Sequence, residues 1–199
     1  MALQYSVALR NARLDSDETA IGTAPLLKLF TGAPPATCAT AASGTALASF
    51  ALPSDWLSAA ASGAKAKLGT WSGTASGTGT AGYYRITDSA GTTCHEQGIV
   101  AMNAVIATNA LTAANGNVLN FASTTGVAVG MTISGTGVAA GATVVALTST
   151  TVTMSLTSTA GVANAASITF GGEMVIDNTS IVSAQTVTVT AYTKTASGA

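Results

Sequence analysis

Residues 118–170 read VLNFASTTGVAVGMTISGTGVAAGATVVALTSTTVTMSLTSTAGVANAASITF, a run of Val, Thr, Ala and Gly with almost no charge. Within it Val152, Met154 and Leu156 alternate with Thr151, Thr153, Ser155 and Thr157. That period of two places one row of side chains on a core and the other toward solvent. Val118–Phe121, Gly130–Ser134, Ala142–Thr148, Thr151–Leu156 and Ser167–Phe170 read as five short strands. Gly126, Gly130, Gly135, Gly137 and Gly141 punctuate the turns. Many short strands parted by Gly-rich turns predict a β-sandwich or small barrel.

The flanks read differently. Residues 2–19 carry the best helical pattern of the chain. Leu3, Val7 and Leu14 form its stripe, widened by Ala8 and Leu9, and Gly22 is the stop. Such a helix packs either on its own sheet or on a neighbouring subunit. LLKLFT (26–31) and ALASFAL (46–52) read as strands. Ser54 reads as the cap of a short helical turn through Ala61, and Trp56 as a core anchor or an interface hot spot. KAKLGTW (65–71) reads as an edge strand guarded by its lysines, and SGTASGTGTAG (72–82) as a loop or hairpin tip. YYRITD (83–88), a turn at 88–91 and TCHEQGIV (93–100) make a hairpin. Past Gly171-Gly172 charge returns, and TVTVTAYT (186–193) is a long strand whose apolar face is Val187, Val189 and Ala191.

Residues 1–101 lack a closing strand, and residues 173–193 lack partners. Joining the two ends predicts a host β-domain, with an N-terminal helix, formed by 1–101 and 172–199. Residues 102–171 are then a small inserted β-domain. Gly98–Ala101 and Gly171–Met174 would be the two arms of a hairpin whose loop has grown, since loop tips tolerate insertion. One continuous β-domain is the alternative.

Composition narrows the function classes. Only 8% of the 199 residues are charged and the net charge is −1, against about 25% charged in an average domain. Lys and Arg are too scattered to bind phosphate backbones, so no nucleic-acid partner is expected. Mean hydropathy is +0.47, yet Gly, Ser, Thr and Asn break every apolar run before the ~20 residues of a spanning helix. No membrane partner is expected. MALQYSVALR lacks the basic and apolar regions of a signal peptide. Cys38 and Cys94 read either as free, partly buried thiols or as one disulfide.

No constellation of catalytic or metal-binding residues stands out. Cys94 and His95 are strand neighbours pointing to opposite faces. Cys94 and Glu96 share a face but have no third ligand nearby. Asp88 and Asp177 sit in turn sequences, where Asp is expected without any glycosidase role. Trp71, Tyr83 and Tyr84 read as core or interface packing before they read as a sugar platform. The reading is non-enzymatic, with no cofactor and no metal.

Four segments carry a resemblance: QYSVALRNARLDSDETAIGTAPLLKLFTGAPPATC (4–38), LPSDWLSAAASGAKAKLGTW (52–71), GYYRITDSAGTTCHEQGIV (82–100) and EMVIDNTSIVSAQTVTVTAYT (173–193). Together they resemble a family of small virion structural proteins of tailed bacteriophages and prophages. Phe121–Val138, with the phrase F-x-S-T-T-G-V-x-V-G-M-x-I-S-G-T-G-V, is similar to a separate β-module that recurs in phage structural and surface proteins. The resemblance implies a head decoration, or cement, protein on the capsid exterior, assembled in the host cytoplasm. Its partners would be the major capsid protein and copies of itself, a trimer by analogy with other decoration proteins. Leu3, Val7, Arg10, Leu14 and Trp56 are the interface residues expected on that reading. A tail or head–tail connector component, and a carbohydrate- or receptor-binding module, are the alternatives.

Overall fold

The computed structural model describes residues 4–101 and 104–196. The chain is mainly β with one N-terminal helix, in a β-sandwich/barrel-like fold. In chain order the elements are α1 (Val7–Ile21), β1 (Leu26–Thr31), β2 (Ala46–Ala51), β3 (Ala64–Ala66), β4 (Ser72–Thr74), β5 (Gly79–Thr87) and β6 (Cys94–Ala101). There follow β7 (Ala104–Ala107), β8 (Val118–Asn120), β9 (Thr132–Ser134), β10 (Val144–Leu147), β11 (Thr151–Met154) and β12 (Ser167–Gly171). The last three are β13 (Met174–Ile176), β14 (Ser180–Ile181) and β15 (Thr186–Thr195). Two compact units emerge, one of residues 1–98 and 176–199, the other of residues 99–175. The composition had placed these boundaries after 101 and after 171.

Helix α1 begins later than its apolar pattern predicts. The Ser6 hydroxyl accepts the Leu9 amide at 3.2 Å and so caps the helix there. Gly22 ends it as expected, its φ of 90° closed to most side chains and its amide donating to the Glu18 carbonyl at 2.9 Å. The stripe through Val7 and Leu9 is exposed, whereas Leu14 and Ile21 are the buried residues. Leu3 lies outside the described residues.

In the first unit β1 pairs antiparallel with β2 and with β5, Leu27 standing between Phe50 and Ile86. Leu27, Leu29, Tyr83 and Ile86 are sealed from solvent. A chain of rings runs Trp56–Trp71–Tyr192–Tyr84, with centroids 5.8, 5.2 and 5.9 Å apart.

Four local expectations fail here. Residues 53–61 form no helix, because the Ser58 amide donates to the Ala66 carbonyl and the Leu68 amide to the Trp56 carbonyl. The strand expected over 65–71 shortens to β3, and Lys65 is buried rather than guarding an edge. The run 72–82 is not a loop: it supplies β4, which pairs with β15, and the start of β5. Gly73 is needed there, since a Cβ would meet the Phe50 ring. On β15, Val187 and Val189 are buried but Ala191 is exposed, and Tyr192 takes the next inward place.

The second unit holds two three-stranded sheets, β10-β11-β8 and β7-β12-β9. Bridges Thr108↔Phe121 and Thr132↔Thr143 join them at both sides, so the six strands close into a small barrel. Its core is Leu119, Phe121, Met131, Ile133, Val144, Val152, Met154, Ile168 and Phe170. All five strands read from the pattern are present; β7, which carries no clear pattern, completes the ring through Ile106↔Ile168. Buried hydroxyls tie down the loops: Thr108 Oγ1 donates to the Ala163 carbonyl, Thr112 Oγ1 to Val118 and Thr124 Oγ1 to Thr148. The two arms at the entrance are not a hairpin. β13 runs parallel to β6, with Met174 beside Val100, and the Ile99 amide donates to Glu173 Oε2 at 2.7 Å.

Each unit has its own core, so each should fold alone. A chain in which residues 102–170 are replaced by a short Gly/Ser linker should unfold in one cooperative transition. It should keep the near-UV dichroism of Trp56 and Trp71, both in the first unit. Loss of that signal would show that the first unit needs the second.

Candidate functional site

The densest polar cluster is built around Glu96. On β6, Gly98 lets the Tyr84 ring lie flat against the strand, since a Cβ there would sit 2.8 Å from it. Tyr84 Oη then donates to Glu96 Oε1 at 2.8 Å, and Tyr192 Oη, from β15, donates to the same oxygen. Lys194 Nζ donates to Glu96 Oε2 at 2.7 Å and pairs with Asp17 of α1 at 3.0 Å. Burial pushes the Tyr192 phenol far above its ordinary range, reinforced by the Glu96 charge. Burial alone would lower Lys194, but Glu96 and Asp17 outweigh it and raise its pKa.

A second clamp lies on the same helix. Lys65 on β3 is only 3% exposed and holds Asp15 at 2.9 Å and Glu18 at 2.7 Å. Here too burial pulls the ammonium down, while Glu18 and Asp15 prevail and raise it. The Lys65 hydrogen bond lowers Asp15 in turn. Glu18 Oε1 also accepts the Leu57 amide, Asn11 Oδ1 accepts the Gly63 amide, and Trp56 Nε1 donates to the Gly22 carbonyl. Arg10 lies against Gly63, whose φ of +78° and missing Cβ make room for the guanidinium.

The arrangement fastens a helix rather than poising a reaction. Asp17, Ala20, Ile21, His95, Glu96 and Lys194 border a cavity of about 370 Å³. Both oxygens of Glu96 are already engaged by donors of the protein itself, as is the Lys194 ammonium. Cys94 Sγ accepts the Arg85 Nε–H at 3.0 Å and donates to the Glu96 main-chain carbonyl at 3.3 Å, so it does not join the cluster on the Glu96 carboxylate. Among the described residues no three His, Cys, Asp or Glu side chains gather in a metal-binding group.

The residues singled out from sequence differ in exposure. Val7 is about half exposed and Arg10 half-buried. Leu14 is corrected from interface to core, because it is buried within the first unit; Trp56, also buried there, takes the core-anchor place of its two readings and not the interface one. Trp71, Tyr83 and Tyr84 are all buried, which fits the core reading and leaves no ring face open to a sugar. Asp88 accepts the Thr92 amide and hydroxyl at 2.7 and 2.8 Å, which hold its carboxyl down at about 2. Asp177 accepts the amides of Asn178 and Thr188. Each acid therefore serves its own turn.

Sequence reasoning missed Lys65, Glu96, Tyr192 and Lys194 as a group. One signal was available. Arg10 and Arg13 occupy the first half of α1 and Asp15, Asp17 and Glu18 the second, the reverse of what the helix dipole favours. Such a helix needs cations from elsewhere in the chain at its C-terminal half.

No protein-family model, curated protein or solved structure matches the chain.

The clamps predict a pH window. The raised lysines stabilise the fold below their unfolded pKa of about 10.4, and that contribution is lost as pH rises through the folded values. The depressed Asp15 contributes above about 3.9 and loses its contribution as pH falls through the folded value. Thermal stability should therefore be highest between those limits, and Lys65→Met should flatten both flanks. At pH 7, Lys65→Met should cost about 2 kcal/mol and Glu96→Gln roughly 3 kcal/mol in denaturant unfolding.

Proposed function

We propose that this chain is a non-enzymatic bacteriophage virion structural protein that decorates the capsid exterior, attached through its first unit. The observation that carries the reading is how charge is divided. From Gln97 to Gly172 there is no Asp, Glu, Lys or Arg, so Glu173 is the one charged residue of the second unit. A protein repeated many times at lattice spacing accumulates like-charge repulsion between copies. A neutral barrel surfaced with Thr, Ser, Asn and Ala avoids it. The segments that resemble phage virion proteins support the same reading. All but a few of their residues lie in the first unit, while the recurring phage module lies in the second.

Attachment falls to surface the first unit leaves open. Val7 and Leu9 are 48% and 46% exposed on α1, with Arg13 exposed on the same helix and packed over the Tyr5 ring at 5.0 Å. The major capsid protein and further copies of this chain are the partners. Binding only the assembled lattice stabilises that lattice by mass action.

Quantification of this chain in purified particles tests the reading. A copy number comparable with the capsid protein is expected, and Val7→Asp/Leu9→Asp should release it from particles without lowering its melting temperature. A few copies per particle would instead indicate a tail or connector component, and retention of the double variant would remove α1 from the contact.

A further inference from the structure

Arg85 on β5 is nearly sealed from solvent, yet among the described residues it makes no ion pair. Its guanidinium instead holds two cysteine residues together. Nε donates to Cys94 Sγ at 3.0 Å, while Nη2 donates to the Cys38 carbonyl and, at 2.9 Å, to the Thr40 carbonyl. Both cysteines border one cavity of about 180 Å³, together with Arg85. Both are free thiols, partly open to solvent. Cys38 lies in the loop 32–45 between β1 and β2, which further hydrogen bonds tie to the strands. Tyr83 Oη donates to the Ser43 carbonyl at 2.6 Å, and Gln97 Nε2 to the Pro35 carbonyl at 2.6 Å.

We propose that Cys38 and Cys94 form a reversible dithiol–disulfide pair, closed by exchange with a small-molecule disulfide. Cys94, whose sulfur already accepts the Arg85 Nε–H, releases its proton to solvent and attacks one sulfur of that disulfide. The S–S bond of the small molecule breaks, one thiolate leaves, and a mixed disulfide stands on Cys94. Cys38 then loses its proton to solvent. Its thiolate attacks the Cys94 sulfur, forms the Cys38–Cys94 bond and expels the second thiolate. The two cysteines lose two electrons and two protons, and the small disulfide becomes two thiols. The second step is the slower one, because burial and the neighbouring Cys94 push the Cys38 thiol up to about 11. The product ties the loop covalently to β6. The pair would stay open in a reducing cytoplasm and close in an oxidising exterior.

The full chain incubated with oxidised glutathione at about pH 8 tests this. Intact mass should fall by two hydrogens, peptide mapping should recover a Cys38–Cys94 link, and the melting temperature should rise by several degrees and return with dithiothreitol. Cys38→Ser and Cys94→Ser should each abolish the rise. Two alkylatable thiols after prolonged incubation, or a product that stops at glutathione adducts or disulfide-linked dimers, would overturn the proposal. The mass readout on the unaltered chain stands whether or not the serine variants fold, and whether or not the chain belongs to a virion.

Discussion

The first unit depends on two ammonium groups, Lys65 buried and Lys194 half-buried, that hold one helix. Helix α1 carries its charges in the order its own dipole disfavours, and its exposed residues include two of its larger apolar ones. Lys65 and Lys194, from strands far along the chain, each bridge to the acidic half of the helix. The cost of taking these lysines out of water is met by more than one carboxylate apiece, and Lys194 shares Glu96 with two tyrosine hydroxyls. In a chain with 7 basic and 8 acidic residues, placing so many of them on one helix is a specific use of scarce charge. It determines which helix face is buried and which remains open.

The second unit solves a different problem with the opposite means. It holds its loops by threonine hydroxyls donating to carbonyls, and it removes sheet edges by closing six short strands into a ring. Neither device needs ionised groups. The unit can therefore be neutral without exposing long unpaired edges, which is what crowding beside copies of itself would require.

Legibility from sequence followed the range of the interactions. The strands at 26–31 and 151–154 were readable because their alternation reflects a core directly beneath them; the strand at 83–87 alternates in sequence too, although all five of its residues are buried. Residues 53–61 and 72–82 were not, because Pro, Ser and Gly signal helix starts and loops locally while their amides and open faces are taken by partners distant in sequence. Lys65 was misread for the same reason: lysine on a short strand suggests an exposed edge until Asp15 and Glu18 are placed above it. Division into two units was visible in composition, but the parallel pairing of β6 with β13 was not, since strand direction leaves no mark on a two-residue overlap. Of the candidate site, the reversed charge order of α1 was the legible part; that Glu96 and Lys194 lie under it requires the fold.

Native-state hydrogen exchange on the full chain tests most directly whether the lysine clamps make α1 an integral part of the first unit. If they do, the α1 amides from Arg13 to Ile21 exchange only through the same opening that exposes β15, with matching free energies and matching response to denaturant. Amides of α1 that exchange far faster than those of β15, through a local opening insensitive to denaturant, would contradict the account and leave the helix an attached segment.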